Sequence, residues 1–138
     1  MAEPIRLEVV TPDKMVLGED VDIVVATGSE GEFGVLRGHI PFLTTLKEGE
    51  LRYRKGGKLE FLAVSGGFAE VQPDKVTILA ESAEFAREID ADRAQRARDR
   101  AVQRLNEAKS EEINHVRAEA ALRRALMRLK LAEKVRSF

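Results

Sequence analysis

The sequence predicts an α+β protein in two parts, a small all-β domain over residues 1–88 followed by a pair of helices over residues 89–138. Three observations carry this reading. All ten glycines and all four prolines lie at or before Pro73, so the last 65 residues hold neither of the residue types that most strongly break a helix. Short alternating and β-branched runs, punctuated by turn signals, fill the first part. The charge changes sign at the same boundary: residues 1–88 carry 16 acidic and 10 basic side chains, and residues 89–138 carry 8 and 13. The near-neutral total of −1 therefore conceals a polar molecule. Such asymmetry points the basic half toward an anionic partner, whether nucleic acid, a membrane surface, a phosphate ligand or an acidic protein.

Residues 5–10 alternate apolar and polar side chains, as a strand with one buried face does, and Thr11, Pro12 and Asp13 then turn the chain. A short edge strand is predicted over 15–17 and a β-branched one over 21–27, followed by a loop punctuated by Gly28, Gly31 and Gly34. Further strands are predicted at 35–36, 42–46, 51–54, 58–64, 68–71 and 75–79, separated by segments rich in glycine and proline. Many short strands with turns between them predict a sandwich or barrel.

The chain offers little for chemistry. Gly28, Gly31 and Gly34 do not form G-x-G-x-x-G, and no Lys-Ser or Lys-Thr follows a glycine-rich loop as a P-loop requires. With no cysteine there is no disulfide and no thiolate metal site, and His39 and His115 are the only imidazoles. His39 has no neighbouring ligand set and reads as a turn residue. No serine, histidine and acid arrangement stands out, so no catalytic site and no metal are expected. No signal peptide and no long apolar run is present, and the chain is expected to stay in the reducing compartment where it is made.

In the second part Asp90 is a natural helix N-cap and Asp92 lies in the first turn, where negative charge complements the helix dipole. Ala94, Ala97, Ala101, Leu105 and Ala108 recur at steps of three and four along one stripe. A turn is predicted over 106–110, and Ser110 opens a second helix with Ala118, Leu122, Ala125, Leu129 and Ala132 on one face, flanked by Leu126. Together the two form an antiparallel helical hairpin. Its seam is mostly alanine, so each residue buries little apolar area and the helices are held weakly. Arg93, Arg100, Arg104, Arg124 and Arg128 read either as solvated faces or, since arginine outnumbers lysine here, as contacts to carboxylate or phosphate. Nucleic acid is disfavoured as that partner, because Phe138 is the only aromatic residue of this half.

At this point the chain resembles, over essentially its full length, the epsilon-subunit family of bacterial F-type ATP synthases, called delta in mitochondria. The resemblance rests on the segment Gly28-Ser29-Glu30-Gly31-Glu32-Phe33-Gly34-Val35-Leu36-Arg37-Gly38-His39-Ile40-Pro41-Phe42-Leu43-Thr44-Thr45-Leu46, on Val64-Ser65-Gly66-Gly67-Phe68-Ala69-Glu70-Val71, and on the order of β half and hairpin. It implies a ten-stranded antiparallel β-sandwich at the foot of the central stalk, touching the gamma subunit and the c-ring. It also implies a C-terminal hairpin that either folds on the sandwich or extends along gamma toward alpha and beta, restraining ATP hydrolysis. The implied place is the cytoplasmic face of a bacterial plasma membrane, reached peripherally through the complex.

Some members of this family bind a regulatory ATP through a motif of Ile or Leu, Asp, two variable residues, Arg and Ala. Ile89-Asp90-Ala91-Asp92-Arg93-Ala94 matches its fixed positions. By that resemblance Glu84, Ile89, Asp90, Arg93, Ala94, Arg100, Arg124 and Arg128 are the candidate ATP-binding residues, with arginines meeting the phosphates. No cofactor is required for the expected role. The competing readings are a free-standing β-sandwich adaptor whose basic hairpin binds an acidic protein, and a nucleic-acid-binding module.

Overall fold

A computed structural model describes residues 3–107 and 112–136. The chain divides into two compact units, residues 1–85 and residues 86–138. A single 3-10 turn, Ala86–Glu88, thus falls with the helices.

Unit 1 holds ten strands: β1 (Ile5–Val10), β2 (Met15–Val21), β3 (Ile23–Gly28), β4 (Gly31–Val35), β5 (Phe42–Thr45), β6 (Gly49–Lys55), β7 (Lys58–Ser65), β8 (Phe68–Val71), β9 (Lys75–Leu79) and β10 (Ser82–Phe85). They form two five-stranded sheets, ordered β2-β1-β9-β8-β5 and β10-β7-β6-β3-β4. Neighbouring strands pair antiparallel, with β1 and β9 forming a parallel pair. Alternation explains the sandwich: Ile5, Leu7 and Val9 of β1 point inward, as do Val24 and Ala26 of β3, Leu51 and Tyr53 of β6, and Val76 and Ile78 of β9. Side chains of both sheets merge into one core cluster. At one end the sheets are stitched together: Ser29 N donates to Thr45 O at 3.0 Å, Lys47 N to Thr27 O at 3.2 Å, and Gly28 bridges Leu46.

Several strand expectations change in the structure. The run 21–27 is two strands, broken at Asp22, whose backbone N–H bonds Arg54 O at 2.7 Å and whose carboxylate accepts from Gly56 N at 3.2 Å. The glycine-punctuated loop is mostly the β3–β4 hairpin, with Gly28 opposite Gly31, so the strand expected at 35–36 is the end of β4. The edge strand expected over 15–17 runs on to Val21. β10 escapes the strand pattern because Ser82, Ala83 and Glu84 have little β propensity; its pairing with β7 imposes the extended form.

In unit 2, α1 (Ala91–Glu107) and α2 (Glu112–Arg136) pack against each other. Asn106 and Glu107, expected in the turn, are instead the last residues of α1, the helical hydrogen-bond pattern carrying on through two residues that hold no glycine or proline to stop it. The rest of that turn, with Ala108 and Ser110, lies outside the described residues, as does Phe138. Buried positions are Ala94 and Ala101 on α1 and Ala118, Ala125, Leu131 and Ala132 on α2. Ala97, Leu105, Leu122 and Leu129 are half-buried, and Leu126 is exposed. Among the described residues, no helix is long and apolar enough to cross a membrane.

Candidate functional site

Four of the candidate residues, Ile89, Asp90, Arg93 and Ala94, lie where the 3-10 turn hands over to α1. Ile89 is buried and its N–H donates to Ala86 O at 3.2 Å. Asp90 follows as the N-cap: its Oδ1 accepts from Arg93 N at 3.1 Å, and its carbonyl accepts from Ala94 N at 3.0 Å. The cap and the fully buried Ala94 hold Arg93 on the solvent side of the first turn. Replacing Asp90 with Ala is expected to lower unit 2 stability by about 1 kcal/mol, and replacing it with Asn by only a few tenths, read by denaturant titration of the helical signal.

Along α1 the 3.6-residue period sets Arg93, Arg96, Arg100 and Arg104 within an arc of about 80°. All four are exposed, and none forms an ion pair with a described residue. Neighbouring like charges at these spacings cost roughly 0.2–0.5 kcal/mol per pair. On α2, Arg117, Arg124 and Arg128 occupy a second arc of about 40°.

An open groove of about 420 Å³ shows how the two arcs relate, since Arg104, Glu107, Asn114, Arg117 and Ala118 line it together. The start of α2 therefore stands beside the end of α1, while α2 also touches the 3-10 turn that precedes α1. The helices consequently run in opposite directions, with both arginine arcs on one side of their seam. With equal rise along both helices, Arg93 comes level with Arg128, because each stands eleven residues from its member of the Arg104 and Arg117 pair. Arg100 lies between those levels on α1, and Arg124 between them on α2. Such a cationic face suits a phosphate chain or a row of carboxylates.

Glu84 lies in unit 1, half-buried on β10 opposite Ala63 of β7. His39 sits on an exposed turn with its Nδ1 2.7 Å from Ile40 O, and His115 pairs with Glu119 at 2.9 Å. Among the described residues no cluster of metal-ligating side chains occurs.

A second surface was not legible in the sequence. On the outer face of the first sheet, register aligns Met15 with Val10, Val10 with Leu79, and Leu79 with Phe68. Met15, Leu79 and Phe68 are each about half exposed, so an apolar row crosses β2, β1, β9 and β8. Only cross-strand pairing brings these four residues together, which is why no linear pattern announces them.

The comparisons divide as the units do. Residues 4–86 match the family described as ATP synthase, Delta/Epsilon chain, beta-sandwich domain, and residues 87–133 match its long alpha-helix domain. An ATP synthase epsilon chain of Syntrophobacter fumaroxidans is 63% identical over 134 residues, spanning 97% of this chain and 99% of the relative. That of Nitratidesulfovibrio vulgaris (strain DP4) is 58% identical over 131 residues, spanning 95% and 97%. Among solved structures, a chain of the Euglena gracilis mitochondrial ATP synthase OSCP/F1/c-ring assembly superposes with a TM-score of 0.79 at 27% identity, covering all of this chain and 84% of that one. A chain of the Tetrahymena thermophila mitochondrial central stalk and c-ring shares the fold, with a TM-score of 0.60 at 16% identity. With both domains matched in order and close relatives covered over nearly their whole length, the chain belongs to the ATP synthase delta/epsilon family.

Proposed function

We propose that the chain is a non-catalytic rotor subunit of a proton-translocating F-type ATP synthase. In this reading unit 1 joins the gamma subunit to the c-ring, and α1 and α2 form a movable restraint on ATP hydrolysis that reaches alpha and beta when extended. The observation that carries it is the match of both family domains, in order, onto the two compact units. The Euglena chain it resembles belongs to an assembly of OSCP, F1 and c-ring. The apolar row Met15, Val10, Leu79 and Phe68 offers gamma a docking face, since a row of this kind is stabilised by covering it. Membrane association is peripheral, through the complex, at the cytoplasmic face of a bacterial plasma membrane.

The arginine face gives the restraint its ligand. ATP would favour the compact hairpin because only there do Arg93 and Arg100 stand on the same side as Arg124 and Arg128, with Asp90 and Ile89 shaping the end of the site. Ala94, buried behind Arg93, completes the members of the proposed set that lie in unit 2. A ligand shifts such an equilibrium only by its differential affinity, and a tenfold preference is worth about 1.4 kcal/mol. Movement is eased because the fully buried positions of the two stripes are alanines, each methyl group contributing about 0.8 kcal/mol.

The role is tested by reconstituting the synthase with a chain ending at Glu88. Hydrolysis should rise severalfold while proton-driven synthesis persists. Loss of both activities together would place coupling in the helices and overturn the division of labour.

A further inference from the structure

Four arginines share one side of α1, and the nucleotide reading accounts for two of them, Arg93 and Arg100. Arg96 stands three residues after Arg93 and four before Arg100, which makes the three guanidinium groups neighbours on the helix surface. Its side chain is exposed and forms no ion pair with a described residue. Two carboxylates flank it. Asp92 is one turn earlier and remains unpaired with it, and Asp99 is held at 3.2 Å by Arg98. Arg96 therefore adds to the repulsion along the stripe, a repulsion that a bound polyanion would relieve.

We infer that Arg96 is a third phosphate-binding arginine of α1 and makes the site select for length of the phosphate chain. This rests on the nucleotide reading given above. One phosphate bridges a pair of neighbouring guanidinium groups, whereas a triphosphate spreads its charge over all three. Bidentate contacts with arginine are what such oxygens accept best. The preference is for ATP over ADP, and for ADP over AMP, and Arg96 widens the first step.

Calorimetric titration of the full chain with ATP, ADP and AMP tests this, using Arg96→Ala, Arg96→Lys, Arg93→Ala and Arg98→Ala. Arg96 and Arg98 are helix-surface positions where alanine favours the helix, so both variants should fold, as circular dichroism would verify. Arg96→Ala should weaken ATP binding about three- to tenfold and AMP binding less than about twofold. Arg96→Lys should recover part of the loss, and Arg98→Ala should leave ATP binding unchanged. ATP affinity unaltered by Arg96→Ala but lost in Arg93→Ala would overturn the role of Arg96 while leaving the nucleotide site standing. Equal weakening by Arg96→Ala and Arg98→Ala would reduce the effect to net charge and also overturn it. No heat from the unaltered chain at millimolar ATP would overturn both readings at once.

Discussion

Replacing Gly67 with alanine is expected to destabilise the β-sandwich by at least about 3 kcal/mol, whereas the same change at Gly56 should cost only about 1–2 kcal/mol. Both glycines have positive φ, +106° at Gly67 and +58° at Gly56, so conformation alone does not separate them. Space does. A Cβ at Gly56 meets nothing within 4 Å, but one at Gly67 would overlap the carbonyl oxygen of Leu79 and stand 2.9 Å from Ala80 Cα. Those are backbone atoms, and they cannot swing aside as a side chain can. Gly66 and Gly67 carry the chain from β7 in one sheet to β8 in the other, and Gly67 O accepts the N–H of Leu46 at 2.9 Å. Any shift of Gly67 therefore disturbs the crossing and the stitch between the sheets. Thermal unfolding should show a midpoint lowered by at least roughly 12 °C for Gly67→Ala. Equal losses at the two glycines would refute the close approach.

The contrast between those glycines also marks where sequence reading stops. Glycine at a turn was visible in both cases, but the Leu79 carbonyl beneath Gly67 belongs to a strand twelve residues away. Periodicity made β1 and β9 legible because one face of each is buried. It missed β10, whose Ser-Ala-Glu start has no strand preference of its own, and it could not choose partners, so the parallel β1–β9 pair was not predictable. In the helical unit, Asp90 as cap and the alanine stripes followed from local chemistry, and the cap hydrogen bond is present at 3.1 Å. Leu131, fully buried, lies off the Ala118–Ala125–Ala132 stripe and gave no such signal. The apolar row on the first sheet is the extreme case, since its four residues come from four strands and meet only through register.

Ala101→Leu is the substitution expected to open the helical unit selectively. Ala101 is 1% exposed on α1, in a seam whose buried methyl groups come from Ala94 and Ala101 on one side and Ala118, Ala125 and Ala132 on the other. At about 0.8 kcal/mol each, these methyl groups stabilise the pairing by about 4 kcal/mol at most. Forcing a larger side chain into such a seam costs about 1–3 kcal/mol, a large part of what these methyl groups contribute. Hydrogen exchange of α1 amides should therefore accelerate about 5- to 150-fold, while β1 and β7 amides keep their protection. Val102→Leu, at the exposed neighbour, should change α1 exchange by no more than about twofold. If the strands accelerated together with α1, helices and sandwich would open as one cooperative body, and a helical arm moving on a stable base would be physically untenable. If α1 alone responds, the proposed role makes a further demand of the same substitution. In the reconstituted synthase, weakening the compact hairpin enlarges the extended population, so Ala101→Leu should lower ATP hydrolysis and make more ATP necessary to restore it.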